Sequence, residues 1–189
     1  MLFNAIKAAW HILPPNFRLL FWKVRGRYVP YQSVVFGGRV VLRGTDRSEA
    51  YRLIFPSPPI GRTVLDVGCH SGFYCFMAAS EGAKDCLGVD IDERHLSRAK
   101  RVLERYKIPN VHFINADALE CKFPRAFDVV LCLNLLQHLG TPDRVDALVK
   151  ALLDAATGEV VLIFPTTRTP NQLYANESIN GKPYSIAFG

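Results

Sequence analysis

The residues best suited to chemistry are two glycines and two carboxylates at a regular spacing. Gly68 and Gly72 follow a short apolar run at residues 64–67, and that run contains Asp66. Glycine has no Cβ, so the backbone of such a loop can approach a ligand closely. Asp90 lies 22 residues beyond Gly68, which is close to the spacing of about 20 between a glycine loop and a ribose-binding acid. The pattern therefore predicts a site for an adenosine-containing cofactor.

The glycine loop differs from the loop that binds dinucleotides. The dinucleotide pattern G-x-G-x-x-G leaves room for a pyrophosphate at the N-terminus of a helix. The corresponding positions here are Gly68, His70 and Phe73, so the second and third glycines are absent. This absence argues against NAD or FAD. His70 could cover the cofactor, contact a substrate or point outward, and we favour the outward orientation.

Short apolar segments alternate with helical segments after a proline-rich break at residues 56–59. The predicted strands are residues 64–67, 86–89, 111–114, 127–133 and 159–164, and the predicted helices are residues 73–81, 93–106 and 142–155. Strands this apolar are typical of a parallel sheet buried on both faces. The alternation predicts an α/β, Rossmann-like sheet with right-handed crossovers and helices on both faces. Ligands bind such sheets beyond the carboxyl ends of the strands, where Asp66, Asp90 and Asp117 fall.

The order of these motifs resembles that of the class I S-adenosylmethionine-dependent methyltransferases. The family's glycine motif is matched by Asp66-Val67-Gly68-Cys69-His70-Ser71-Gly72, with two of three glycines present and His70 in place of the middle one. Three further segments match in order: Leu87-Gly88-Val89-Asp90-Ile91-Asp92, Asn115-Ala116-Asp117-Ala118, and residues 127–139. The resemblance covers about residues 63–164. It implies S-adenosyl-L-methionine as the cofactor and in-line displacement of its methyl group by an acceptor.

The resemblance also implies which residues surround that cofactor. Gly68 and the loop as far as Gly72 would line the methionine moiety. Asp90 would hold the ribose hydroxyls, and Ile91 would pack against the adenine face. Asp66 would either contact the cofactor directly or be a buried acid that holds loop amides.

Further implied contacts follow the third and fourth strands. Asp117 would accept a hydrogen bond from the adenine amino group, with Ala118 beside it, and Asn134 would lie near the methionine end and the substrate. His138 comes four residues after Asn134, so a helix here would place both on one face near the pocket. His138 is a candidate general base, and the alternative is a structural or solvent-facing histidine. No Cys/His spacing repeats a zinc-ligand pattern, so no metal is predicted.

The leading functional interpretation is a methyltransferase that acts on an unidentified small molecule or nucleic-acid base. The rival interpretation is a non-catalytic methyltransferase-like protein that binds RNA or a partner. His70 and the short C-terminal part favour the rival, whereas Asp90, Asp117 and Asn134 oppose it. An NAD-dependent oxidoreductase is a third interpretation.

A narrower resemblance concerns tRNA. Residues 52–55, the glycine loop and the histidine after the fourth strand look like the branch that includes the tRNA wobble-uridine methyltransferases, which act with carboxylated S-adenosylmethionine. That branch usually has an aromatic residue where this chain has Gln137. We find no convincing set of basic residues for the carboxylated cofactor. A tRNA substrate remains a hypothesis, and it predicts binding that weakens steeply with salt.

The sequence divides into residues 1–58, a basic and mainly helical N-terminal extension, and residues 59–189, the cofactor-binding domain. Residues 1–60 contain nine Lys and Arg and two acidic residues, a net charge of +7, whereas the rest of the chain has a net charge of −1. Such a basic segment can bind RNA, anionic lipid or an acidic substrate, or it can form a charged surface that only keeps the protein soluble. Within it we expect two helices broken at Pro14-Pro15, a strand or hairpin at residues 34–42 and a helix at residues 46–55.

The remaining expectations concern location and assembly. The sequence contains no run of 18 apolar residues, so no membrane span is predicted. The five cysteines form no CxxC pair, which indicates a reducing, cytoplasmic compartment. Residues 165–189 contain no clear strong strands, so we expect the C-terminal strands of the family fold to be missing or abbreviated. The exposed sheet edge that this leaves would indicate truncation or pairing with another chain, for example in a homodimer.

Overall fold

The computed structural model describes residues 31–164 and the two strands Leu173–Ile179 and Lys182–Ala187. The strands are β1 (Val34–Phe36), β2 (Arg39–Leu42), β3 (Thr63–Val67), β4 (Asp85–Asp90), β5 (Val111–Asn115), β6 (Phe127–Leu133), β7 (Ala156–Ile163), β8 (Leu173–Ile179) and β9 (Lys182–Ala187). The helices are α1 (Ser48–Ile54), α2 (Phe73–Ser80), α3 (Glu93–Tyr106) and α4 (Pro142–Ala155), with a 3₁₀ turn at Leu136–His138. The two helices predicted around Pro14-Pro15 lie outside the described residues.

Seven strands form one sheet in the order β5-β4-β3-β6-β7-β9-β8. All neighbouring pairs from β5 to β7 are parallel, so the predicted α/β, Rossmann-like fold is confirmed. The chain builds β3, β4 and β5 outward in one direction and then returns to the other side of β3 for β6 and β7. This reversal creates a topological switch point beside the carboxyl end of β3, which is where such sheets bind ligands.

The strands are apolar because both of their faces are covered. Successive side chains of a strand point to opposite faces. In β6, Val129 and Leu131 belong to one buried cluster, while Val130 and Cys132 belong to a second cluster that also includes Leu152 of α4. A sheet between two helix layers therefore accounts for the unbroken apolar runs in the sequence.

Residues 31–55 form what we call the hairpin–helix module, which consists of β1, β2 and α1. β1 and β2 are antiparallel, which confirms the predicted hairpin. Val34, Tyr51 and Phe55 of the module are buried in the same cluster as residues of β3 and α2. The Tyr51 hydroxyl also donates a hydrogen bond to Oε2 of Glu81, at 3.1 Å. The module is thus joined to the sheet by a shared core, and the boundary proposed at residue 58 remains a prediction.

β7 begins three residues earlier than the predicted start at residue 159. α4 passes directly into β7 at Ala156, and the register between β6 and β7 shifts between Phe127 and Val129. Gly158 lies at this irregularity, where an added Cβ would come within 2.3 Å of the carbonyl oxygen of Asp128. Gly158 therefore permits a bulge at the start of β7, and this bulge allows α4 to pass directly into β7 without a loop.

The prediction that the C-terminal strands are missing or abbreviated is wrong. β9 pairs in parallel with β7, and β8 pairs antiparallel with β9 at the end of the sheet. The sequence of β8, LYANESI, is largely polar and therefore lacks the apolar pattern of a buried strand. The two strands are separated in sequence only by Asn-Gly at positions 180–181, the dipeptide that most strongly favours a hairpin connection. The argument for truncation or a homodimer based on missing strands is therefore removed.

None of the described helices is long and apolar enough to cross a membrane.

Candidate functional site

A cavity of about 810 Å³ opens at the carboxyl ends of the central strands. This volume lies within the range of about 300–1,000 Å³ that is common for small-molecule and cofactor sites. The cavity is lined by residues that follow β3, β4, β5 and β6, together with residues of the hairpin–helix module. Seven of the predicted site residues line it: Gly68, Asp90, Ile91, Asp117, Ala118, Asn134 and His138. Asp66 and Gly72 do not.

Asp90 is held in place by two backbone amides. Its Oδ2 accepts from the amide of His70 and its Oδ1 from the amide of Asp92, both at 2.8 Å. Nδ2 of Asn115 also donates to the backbone oxygens of Asp90 and Ile91, at 3.0 and 2.9 Å. An ionised carboxylate offers about four acceptor positions, so Asp90 can still accept from the hydroxyls of a ligand.

The end of β5 provides a second carboxylate. Asp117 is half-buried and its Oδ1 accepts from the amide of Leu119 at 3.0 Å, so its side chain is oriented by the local turn. On the same side of the cavity, Ile91 is 70% exposed, which is unusual for a large apolar side chain at a strand end. An exposed apolar surface next to a positioned carboxylate suits a flat, hydrogen-bonding group such as adenine.

The glycine loop has left-handed backbone at three positions. The φ angles are 79° at Gly68, 52° at His70 and 80° at Gly72. A Cβ on Gly72 would meet Cζ of Phe113 at 2.4 Å, so this glycine is needed for core packing and faces away from the cavity. The ring of Phe113 also excludes a side chain at Gly88 on β4, because a Cβ there would lie 2.6 Å from the ring. Of the two loop glycines predicted to line the cofactor, only Gly68 lines the cavity.

Asp66 is enclosed beneath the loop, with 1% of its surface exposed. Burial raises its pKa to about 8, and the nearby charge of Asp90 adds to the rise. The interpretation that Asp66 holds loop amides is not supported, because the amides of Gly68 and Cys69 bond to the carbonyl of Val89 instead. Oδ2 of Asp66 has no hydrogen-bond partner among the described residues. The acid that fastens the loop is therefore Asp90.

The predicted outward orientation of His70 is wrong. His70 lines the cavity and stacks on His95, with 3.7 Å between ring centroids. Burial, with a smaller contribution from His95, lowers the pKa of His70 to about 4, so the ring is neutral near pH 7. The ring of His70 also packs edge-on against the ring of Tyr31, with 5.2 Å between the ring centroids. The residue in place of the family's middle glycine thus connects α3 to the hairpin–helix module.

His95, to which the sequence motifs assign no role, also lines the cavity. It lies in the first turn of α3, whose N-terminus follows Asp92 and therefore points back toward the end of β4. Side chains of a helix lean toward its N-terminus. A histidine one turn after a strand-end acid is therefore close to the ligand side of the sheet, and this signal was available in the sequence.

Asn134 and His138 are brought to the cavity by a tight turn after β6. Asn134 has a φ of 56°, and its amide donates to the carbonyl of Ile163 at 2.6 Å. Nε2 of Gln137 donates to the carbonyl of Asn134 at 2.9 Å. The turn at Leu136–His138 is 3₁₀ rather than α-helical. Both predicted residues nevertheless face the cavity, with His138 exposed to solvent and Nε2 of Gln137 3.4 Å from its Nε2.

Eight polar or aromatic residues that line the cavity have no role predicted from the sequence. They are Tyr31, Gln32, Arg47, Tyr74, Asp92, His95, Gln137 and Arg144. Three belong to the hairpin–helix module, where neither periodicity nor a motif indicates that a side chain faces a ligand. Only the tertiary contact between the module and the sheet places them there.

The position of the cavity and the strand order are those of nucleoside-binding α/β sheets. Comparison with known proteins shows which class of nucleoside-binding protein the chain resembles. Residues 64–155 match the family model described as a methyltransferase domain. The N-terminal domain of EvdMO1 has a similar fold, with a TM-score of 0.58 and 20% identity over 89% of this chain and 76% of that one. An S-adenosylmethionine-dependent methyltransferase from Clostridium acetobutylicum has a TM-score of 0.54 and 18% identity over 60% of this chain and 48% of that one. Residues 64–155 are therefore similar to a methyltransferase domain, and these solved structures share its fold.

Two groups of curated relatives have different acceptors in their names. A tRNA U34 carboxymethyltransferase of Helicobacter pylori (strain Shi470) is 30% identical over 122 residues, 62% of this chain and 46% of the relative. A ubiquinone biosynthesis O-methyltransferase of Pseudomonas fluorescens (strain SBW25) is 38% identical over 86 residues, 45% of this chain and 37% of the relative. The chain thus spans less than half the length of these relatives.

Proposed function

We propose that the protein transfers a methyl group from S-adenosyl-L-methionine to a small molecule or a nucleic-acid base. The observation that carries this proposal is the pair of oriented carboxylates, Asp90 and Asp117, which line one cavity at the ends of adjacent strands. Asp90 has the position to bind the ribose hydroxyls, and Asp117 to accept from the adenine amino group. Ile91 and Ala118 supply the apolar surface for the adenine ring between these two polar contacts.

The glycine loop would accommodate the next part of the cofactor. Gly68 lies at the carboxyl end of β3, and a Cβ on it would come within 3.3 Å of Cδ2 of Leu135. A side chain at this position would therefore crowd the passage between β3 and the turn after β6. Asn134, on that turn, faces the same space. This arrangement supports placing the sulfonium group and its methyl between Gly68 and Asn134.

When bound, the cofactor supplies an electrophilic methyl group, and the bond to the acceptor forms as the carbon–sulfur bond breaks. The main task of the protein is then to align the acceptor atom opposite the sulfur, since correct orientation alone removes a large part of the barrier. His138 lines the cavity and is exposed to solvent, so its imidazole could act as the base that takes a proton from the acceptor. Asp66 does not line the cavity, so we assign it no contact with the cofactor.

The identity of the acceptor stays open between two chemical classes. The names of the curated relatives support both, since one set modifies tRNA U34 and the other acts in ubiquinone biosynthesis. The net charge of +7 in residues 1–60 favours a nucleic acid. A cytoplasmic location and a homodimer are consistent with either acceptor and remain predictions.

Calorimetry with S-adenosylhomocysteine tests the proposed cofactor site. We expect binding by the full chain and a loss of roughly 10- to 100-fold in affinity in Asp90→Ala, because a charged group removed from a ligand contact costs about 1.5–3 kcal/mol. Asp143→Asn, an acid in the first turn of α4 that does not line the cavity, serves as the control. A folded full chain that does not bind the nucleoside would exclude the methyltransferase and favour a non-catalytic binding protein.

A further inference from the structure

His70 carries a side chain at a point where the glycine loop touches the proposed ribose site. Its amide donates to Oδ2 of Asp90 at 2.8 Å, and Asp90 is the carboxylate to which we assign the ribose hydroxyls. The φ of His70 is 52°, in the left-handed region that is unfavourable for a residue with a Cβ. Residues strained in this way are concentrated at functional sites. The imidazole therefore has to be placed without filling the space beside Asp90.

The ring of His70 is placed against α3. It lies on the ring of His95, with 3.7 Å between the ring centroids and 32° between the ring planes. His95 is in the first turn of α3, and its amide donates to the carbonyl of Asp92 at 3.0 Å. Leu96, the next residue, is fully buried, so this turn is anchored in the fold. His95 thus presents a fixed, flat surface to the glycine loop.

Two further contacts hold the ring of His70, and neither determines the plane of the ring. Nδ1 lies 2.9 Å from Oγ of Ser71, which is fully buried. A hydrogen bond at one ring atom still allows the ring to tilt. Tyr31 meets the ring edge-on and is itself 49% exposed. The contact with His95 covers a face of the ring, so it is the contact that fixes the orientation.

The charge state of His70 suits this packing. Burial, followed by the effect of His95, lowers the pKa of His70 to about 4, so the ring is neutral near pH 7. Arg98 of α3 acts in the same direction, while Asp90 and Asp92 oppose the shift. A neutral imidazole packs on a second ring without repulsion between like charges. The two rings can therefore stay in contact at neutral pH.

We propose that His95 is a positioning residue for cofactor binding, because its ring holds the imidazole of His70 against α3 and away from the ribose site at Asp90. His95 acts through His70 and not by contact with the nucleoside. This inference rests on the proposed function, since it needs the nucleoside to lie beside Asp90. Without the ring of His95, the imidazole of His70 turns further into the cavity that it already lines and competes with the nucleoside for space.

Calorimetry with S-adenosylhomocysteine on three variants of the full chain tests this role. For His95→Ala we expect roughly a 10-fold loss of affinity. His70→Gly removes the ring, and glycine accepts the left-handed φ, so its affinity should equal or exceed that of the unsubstituted protein. The double variant should bind as tightly as His70→Gly, because no ring is left to be held. Such a recovery is a coupling that two independent sites do not show.

Two further variants separate the ring of His95 from its nitrogen atoms. His95→Phe keeps a flat ring against His70 and should retain most of the affinity. An equal loss in His95→Phe and His95→Ala would mean that a nitrogen of His95 is needed, and the proposal fails. His112→Ala is the matched control, since His112 is an exposed histidine of β5 that does not line the cavity. It should leave the affinity unchanged.

The remaining outcomes are also decisive. A loss in His95→Ala that persists in the double variant would mean that His95 contacts the nucleoside or supports α3, and it would overturn the proposal. Full affinity in His95→Ala would overturn it as well. If His95→Ala does not fold, His95→Phe and the double variant decide, because the proposal requires both to bind. An unsubstituted protein that does not bind S-adenosylhomocysteine rejects the proposed function, whereas binding with the wrong pattern among the variants rejects only the role of His95.

Discussion

The two walls of the cavity are built in different ways. The wall formed by the ends of β3 to β6 takes its carboxylates from strand ends, so Asp90 and Asp117 are placed by sheet geometry. The wall formed by the hairpin–helix module takes Gln32 and Arg47 from irregular segments held against each other. The first construction can be recognised from spacing in one chain, whereas the second depends on contacts between distant residues. Substitutions in the strand-end wall and in the hairpin–helix module should therefore differ in how much they destabilise the protein.

The largest effect should come from the glycine loop. Gly72→Ala places a Cβ at a φ of 80° and within 2.4 Å of Phe113, so we expect a loss of about 2–5 kcal/mol in the free energy of unfolding, from backbone strain and overpacking together. Urea unfolding measures this loss. Gly61→Ala is the matched control, since its φ is 72° but no atom lies within 4 Å of the added Cβ. It should cost only about 1–2 kcal/mol, and an equal cost at both positions would mean that packing on Phe113 is unimportant.

A smaller effect should appear in the pH dependence of stability. The pKa of Asp66 is raised from 3.8 to about 8, so between these values the folded state holds a proton that the unfolded chain has lost. Stability therefore falls as the pH rises through this window. His70 acts oppositely below pH 6.5, because burial lowers its pKa to about 4, so only the range from pH 6.5 to 8 isolates Asp66.

Urea unfolding at these two pH values measures the Asp66 contribution. The unsubstituted protein should lose about 1–2 kcal/mol between pH 6.5 and pH 8, while Asp66→Asn should lose much less. A parallel decline in both proteins would show that another group titrates in this range.

The smallest effect should come from the contact between the hairpin–helix module and α2. Tyr51→Phe removes the hydroxyl that donates to Glu81 at 3.1 Å and keeps the buried ring, so we expect a loss of about 1 kcal/mol. Thermal unfolding can detect this change. Leu53→Ser, on the exposed face of α1 with 74% of its surface accessible, should leave the Tm nearly unchanged. A larger effect of Leu53→Ser would indicate that this face is covered in solution.

The same division explains which features the sequence predicts. Apolar strands that end in acids or glycine specify β3 to β6 and Asp90, because burial on both faces and the strand-end site each leave a local pattern. Arg47 leaves no such pattern, because the property that distinguishes it arises only on folding: its buried Nε has no hydrogen-bond partner among the described residues. The orientation predicted for His70 is wrong because the sequence does not show which residues its side chain contacts. The left-handed φ of His70 describes only the backbone of the loop.

The ring of Phe113 has a consequence for how this sequence can diverge. It occupies the space that a Cβ would need at both Gly72 and Gly88, two residues on different elements. Any descendant that gains a side chain at either glycine must first accept a smaller residue at 113. The three positions should therefore change in a defined order during evolution. Phe113→Ala should relieve only part of the cost of Gly88→Ala, because the added Cβ would still lie 2.8 Å from Sγ of Cys69.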